Sequence, residues 1–187
     1  HGLGMAVATA LAGAGATLAV NGHSADRLDK ALKTYENKGI DAKGYLFDVT
    51  DEQAVAEGVA RIEREAGPID ILVNNAGIIK RIPALEMTLP EWNEVIATDL
   101  TSPFLMSRAV AAGMIRRGHG KIVNMCSMMS EVGRSSVTAY AAAKGGLKML
   151  TKNLATEWAK HNIQVNGIGE KKADAFGEQF MAAIEEF

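Results

Sequence analysis

Cysteine is almost missing from this sequence: Cys126 is the only one, so no disulfide can form within the chain. That usage fits a reducing compartment, and the cytoplasm is the expected location. Neither sign of charge dominates, since 20 Lys and Arg face 22 Asp and Glu for a formal charge of −2. A polyphosphate backbone or an anionic membrane surface would have no basic excess to hold, and no nucleic-acid partner is expected. Long hydrophobic runs are also missing. Stretches such as Ile69 to Val73, itself broken by Asp70, fall far short of the roughly 20 residues that cross a bilayer, so no membrane partner is expected either. His23, His119 and His161 show no metal-ligand spacing with one another or with Cys126, and no metal site is expected. What is present is 48% hydrophobic residues in 187, enough for one globular domain spanning the chain with a true core.

Apolar segments of about five residues alternate with longer amphipathic ones, the pattern of a doubly wound parallel α/β sheet. Strands are expected at Thr17–Asn21, Gly44–Asp48, Ile69–Asn74, Gly120–Cys126 and Gln164–Ile168. Helices are expected near Met5–Ala14, Ala25–Lys38, Asp51–Ala66, Leu89–Arg117 and Ser136–His161, the third capped by Thr50 or Asp51. Both ends are unusual for such a fold. A Rossmann-type domain opens with a strand that feeds a glycine turn, and this sequence opens inside the turn, at His1-Gly2-Leu3-Gly4. After the strand ending near Gly169, Glu170-Lys171-Lys172 switches at once to a charged, helix-like stretch up to Phe187. A first and a C-terminal strand are therefore expected to be missing, with 170–187 a displaced segment.

Three residues carry pointed chemistry. Ser127, Tyr140 and Lys144 follow the spacing Ser, twelve residues, Tyr, three residues, Lys, and the last two are i and i+4 on one helix face. A free tyrosine, with a pKa near ~10, is a poor base at neutral pH unless a cation favours its phenolate. Lys144 supplies one. An ammonium about 4 Å away at an effective dielectric near 20 interacts by roughly 4 kcal/mol, worth more than one pKa unit after a generous discount for solvent. Ser127 falls at the end of an apolar strand, where ligands of open α/β sheets bind. Gly2-Leu3-Gly4 reads as a glycine turn whose backbone N–H groups approach a pyrophosphate. No Gly-x-Ser-x-Gly elbow or Ser–His–acid set supports a hydrolase.

Together, Gly2-x-Gly4, Asp48-Val49, Asn74-Asn75-Ala76-Gly77, Ser127 and Tyr140-x3-Lys144 resemble the short-chain dehydrogenase/reductase family over residues 1 to 169. The resemblance implies Tyr140 as general acid/base, Lys144 as its pKa-lowering partner and holder of the nicotinamide ribose, and Ser127 as the group that orients the substrate oxygen. It also implies that Asn75, Ala76 and Gly77 line the cofactor cleft, that Asp48 and Val49 lie against the adenine, and that the protein is a homotetramer. NNAGIIKR (74–81), CSMMSEVG (126–133) and AYAAAKGGLKMLT (139–151) are similar to a subgroup that acts on open-chain sugar acids, gluconate and 5-ketogluconate. Related sugar-acid dehydrogenases of the 2-deoxy-3-ketogluconate type, and an idle dinucleotide-binding regulator, remain open; the regulator would have no need of Ser127, Tyr140 and Lys144 together.

Where the family has an Asn in its central helix, this sequence has Asp99, an anion that favours the charged form of Lys144 but offers one hydrogen-bond donor fewer. The end of the second expected strand reads Asn21-Gly22-His23-Ser24 and offers no carboxylate to bind a ribose 2′-OH and repel a 2′-phosphate. With His23, Ser24 and Arg27 as donors, NADP is expected, NAD being the alternative. For the substrate carboxylate the candidates are Arg81, with Lys80 beside it, and Arg134, while Glu131 is a candidate for the sugar hydroxyls.

Overall fold

A computed structural model describes residues 2–169. The chain runs α1 (Leu3–Gly13), β1 (Leu18–Gly22), α2 (Ala25–Glu36), β2 (Ala42–Leu46), α3 (Glu52–Ala66), β3 (Ile71–Asn74), α4 (Leu89–Ile96), a π-helical turn (Ala97–Thr101), α5 (Ser102–Arg117), β4 (Gly120–Met125), α6 (Thr138–Trp158) and β5 (Ile163–Ile168). Strands and helices alternate as the hydrophobic pattern requires, and every strand pair is parallel. Among the described residues the strands form two sheets, β1–β2 and β3–β4–β5.

β4 is the central strand of the larger sheet, and its near-continuous apolar run reflects burial on both faces: Ile122, Val123, Asn124 and Met125 are all buried. Val110 and Met114 of α5 and Trp158 of α6 pack with Ile122, Leu72 and Val165 in the main core. α3 buries Val55, Gly58, Val59 and Ile62, a stripe at i, i+3, i+4 and i+7. Of its two candidate caps Asp51 is the one used, its side chain accepting from the Ala54 N–H at 2.9 Å.

Several boundaries differ from the sequence pattern, each for a local reason. The expected strand Gly44–Asp48 is displaced to Ala42–Leu46, because the Asp48 carboxylate accepts from the Thr50 N–H (2.8 Å) and hydroxyl (2.7 Å) and turns the chain out of the ladder. The last long helix begins at Thr138, not Ser136, since Ser136 takes a positive φ of 63° and its carbonyl accepts from the Ile82 N–H at 2.9 Å. The single helix expected over Leu89–Arg117 is interrupted by the π-helical turn. The reading of 170–187 as a displaced segment lies outside the described residues.

Because the strands are parallel, their C-terminal ends share one side of each sheet. Asn75 follows β3 directly and Ser127 lies two residues beyond β4, so the fold delivers both to the same edge.

Candidate active site

Ser127, Tyr140 and Lys144 line one cavity of about 370 Å³ together with Asn75, Asp99, Arg81 and Arg134. Ser127 is held at the end of β4 by a reciprocal pair of bonds, its hydroxyl oxygen accepting from the Met129 N–H at 3.2 Å while its own N–H donates to Ser130 Oγ at 3.3 Å. Tyr140 and Lys144 lie one turn apart on α6, and Lys144 Nζ stands 5.5 Å from the Tyr140 ring centroid.

Lys144 is only 5% exposed. Its ammonium donates to the Met125 carbonyl at 2.9 Å and lies 3.1 Å from Asp99 Oδ2, so two fixed partners aim it from the far side. Asp99 is fully buried, and its other oxygen accepts from the Ile78 N–H at 2.7 Å. Burial pushes the Asp99 carboxyl above the usual aspartate range; Lys144 and the Ile78 N–H pull the other way without cancelling it. The π-helical turn places Asp99 here, a wide turn of the kind found at functional positions in helices. Gly77 is required beside it, because a Cβ at that position would sit 2.9 Å from Asp99 Oδ2.

A nicotinamide dinucleotide fits the residues on the α1 side. α1 starts after Gly2 with no side-chain cap, which leaves its first N–H groups open to an anion. At Gly4 a Cβ would come within 2.8 Å of Asn75 Nδ2, so any larger residue would make the Asn75 side chain shift where the helix start approaches the β3 end. Leu3 reaches the catalytic cavity itself. Asp48, two residues past β2, is held below the usual carboxylate range by the Thr50 N–H and hydroxyl, with His23 adding to the effect. Val49 packs against the main core and Ser24 caps α2 by position, without a side-chain bond. Asn21 spends its amide hydrogens on the Tyr45 and Phe47 carbonyls (3.2 and 3.0 Å), tying β1 to the end of β2.

Two candidates for substrate contact are otherwise engaged. Glu131 is outside the cavity, ion-paired with Lys148 of α6, because its loop folds back over that helix. Lys80 is paired with Glu94 of α4. Arg81 and Arg134 line the cavity and make no ion pair among the described residues.

A buried polar ladder that the sequence analysis missed lies beneath the site. Asn74 Nδ2 donates to Asn124 Oδ1 (2.8 Å) and to Ser107 Oγ (3.1 Å), and Asn124 Nδ2 donates to Thr151 Oγ1 (2.9 Å). Asn74 and Asn124 are also register partners. These bonds link β3, β4, α5 and α6 just below Asn75 and Ser127. Asparagine in two otherwise apolar strands was the available signal.

This fold and site define the short chain dehydrogenase family, and the chain belongs to it: the family's model matches residues 1–172. Among its relatives, the 2-dehydro-3-deoxy-D-gluconate 5-dehydrogenase of Formosa agariphila is 61% identical over 170 residues, covering 90% of this chain and 64% of the relative. The gluconate 5-dehydrogenase of Gluconobacter oxydans is 44% identical over all 187 residues, which cover 73% of it. A gluconate 5-dehydrogenase from Burkholderia cenocepacia, solved in complex with NADP and tartrate, superposes with a TM-score of 0.85 at 38% identity, over 90% of this chain and 66% of that one. The chain thus spans about two thirds of the length of these relatives. No helix among the described residues is long and apolar enough to cross a membrane.

Proposed function

We propose that the protein is an NADP-dependent oxidoreductase acting at carbon 5 of a six-carbon sugar acid, interconverting gluconate and 5-ketogluconate. The observation that carries this is one cavity in which Ser127, Tyr140 and Lys144 meet two arginines, Arg81 and Arg134, that make no ion pair among the described residues. Bound NADPH supplies the hydride. Ser127 donates a hydrogen bond to the substrate oxygen, and the Tyr140 phenol gives its proton to the same oxygen as charge develops there. The Lys144 ammonium, fixed by Met125 and Asp99, stabilises the phenolate left behind. In the oxidative direction the same proton returns to Tyr140. Asn75, Ala76, Gly77 and the open start of α1 hold the dinucleotide, and no carboxylate follows β1 to reject a 2′-phosphate.

A second reading, a 2-dehydro-3-deoxy-D-gluconate 5-dehydrogenase, is favoured by the 61% identity to the Formosa relative. It shares carbon 5 and the carboxylate and differs at carbons 2 and 3. We place the protein in a cytoplasm as a homotetramer; the exposed Phe104 of α5 and Met149 of α6 suit helix pairing between copies.

The test is oxidation of NADPH by purified protein with 5-ketogluconate, compared with the 2-dehydro-3-deoxy substrate pair and with NADH. A lower KM for NADH than for NADPH overturns the cofactor assignment. Arg81→Ala is expected to raise KM for 5-ketogluconate by about 10- to 100-fold, since a hydrogen bond to a charged group is worth about 1.5–3 kcal/mol, and to leave an uncharged ketose unaffected. Equal losses on both would mean that Arg81 supports its loop and does not read the acid.

A further inference from the structure

Four charged side chains line the catalytic cavity among the described residues: Arg81, Asp99, Arg134 and Lys144. Asp99 is the only carboxylate of the four, and Lys144 already meets it at 3.1 Å, so the two arginines are surplus cations. They come from different loops, Arg81 from the one after β3 and Arg134 from the one after β4. Each loop is anchored on its outer side by an ion pair close to its arginine: Lys80 with Glu94 of α4, and Glu131 with Lys148 of α6.

The two loops also meet each other. The Ile82 N–H donates to the Ser136 carbonyl at 2.9 Å, one residue beyond Arg81 and two beyond Arg134. The next carbonyl, that of Val137, accepts from the Ala141 N–H at 2.8 Å and belongs to α6, so the Ser136 carbonyl is the one turned away from the helix. Ser136 achieves this with a φ of 63°, in the left-handed region that residues other than Gly, Asn and Asp seldom adopt. Val137 beside it is 1% exposed, which pins the turn from the core side. A strained backbone persists only where its surroundings hold it, and beside a cavity it points to a task.

We propose that Ser136 is a positioning residue: its left-handed backbone and its bond to Ile82 fix Arg81 and Arg134 at one separation, so that both guanidinium groups close on a single carboxylate. A guanidinium is a planar fork that binds a carboxylate through paired N–H groups, so the spacing of two forks decides whether one anion satisfies both. Untied, two like charges on separate loops would move apart. The inference rests on the sugar-acid reading and adds the backbone element that makes the acid preferred.

The experiment follows kcat/KM for 5-ketogluconate and for L-sorbose, which carries CH2OH in place of the carboxylate, in Ser136→Asn, Ser136→Ala and Ser136→Val. Asn accepts the left-handed region, Ala resists it, and β-branched Val resists it most. Preference for the acid is therefore expected to survive Ser136→Asn, to fall with Ser136→Ala, and to fall by about 10-fold with Ser136→Val, the worth of one hydrogen bond to a charged group. The fall is expected in KM for the acid, with kcat and KM for NADPH unchanged. In an Arg134→Ala background the series is expected to cost nothing further, since a clamp with one arm has no separation to keep. If Ser136→Val does not fold, Ser136→Asn against Ser136→Ala decides the matter. Equal losses on both substrates, a further loss in the Arg134→Ala background, or a raised KM for NADPH would overturn the clamp. A parent enzyme with no preference for the acid overturns the sugar-acid reading and the clamp with it, whereas a preference that the series leaves untouched overturns the clamp alone.

Discussion

Tyr140→Phe is expected to lower turnover by about 10²- to 10⁴-fold while leaving Tm unchanged. The substitution keeps the half-buried ring and its packing with Val95, Ala139 and Ala143 under α4 and removes only the phenolic oxygen. No other group in the cavity replaces that proton. Ser127 is fixed as an acceptor for Met129 and in the proposed mechanism donates a hydrogen bond to the substrate, and the Lys144 ammonium is turned towards Met125 and Asp99. The expected factor is the usual worth of a positioned general acid. Because the lost interaction belongs to the transition state, kcat should fall with little change in KM. Steady-state NADPH oxidation with 5-ketogluconate measures both. Turnover near the parent level would remove Tyr140 from the chemistry and leave Ser127 as the proton source.

Lys144→Met should be the most destabilising single change at the site, at about 3–5 kcal/mol near neutral pH. Met fills a similar volume, so the loss comes from charge: Asp99 is fully buried, and without the ammonium 3.1 Å away its anion has only the Ile78 N–H. The pH dependence separates this cause from packing. Asp99 already titrates above the ordinary aspartate value of about 3.9, chiefly through burial, and loss of Lys144 moves it further in the same direction. The folded state then binds the proton more tightly than the unfolded chain. Stability therefore falls as pH rises from about 3.9 through the raised folded value, and it recovers as pH is lowered through the same window. Urea unfolding at several pH values reads this directly. A loss that does not vary with pH would assign the effect to side-chain packing, and Lys144→Met combined with Asp99→Leu should then be no more stable than Lys144→Met alone.

The helices and strands could be read from the sequence because hydrophobic spacing reports burial, and burial is what decides most of this fold. α3 is the plainest case, with its stripe of Val55, Gly58, Val59 and Ile62 and its Asp51 cap. That Ser127, Tyr140 and Lys144 meet in one cavity was readable for a different reason: they are close in sequence, and α6 alone fixes the distance between two of them. Contacts between distant loops left no such trace. That Ser136 would abandon the helix to pair with Ile82, that Glu131 would turn to Lys148, or that Lys80 would be taken by Glu94 depends on where separate loops meet. Asp99 stood out in the sequence only as an aspartate where the family has an asparagine, and the wide turn that brings it to Lys144 is invisible to a pattern of period 3.6.

A single widened turn is equivalent to one residue added to an otherwise regular α-helix. Each residue of such a helix advances the next by about 100° around the axis. Removing one residue from Ala97–Thr101 would let α4 and α5 run on as one uninterrupted rod, with its hydrogen bonds intact. It would also turn everything on one side of the deletion by more than a quarter of a circle relative to the other. The chain could keep Trp92 and Val95 seated on α6, or Leu105 and Val110 seated in the main core, but not both. The helical phase that separates these two packing faces is thus the same one that turns the Asp99 carboxylate inward, and a length change of one residue would alter both together.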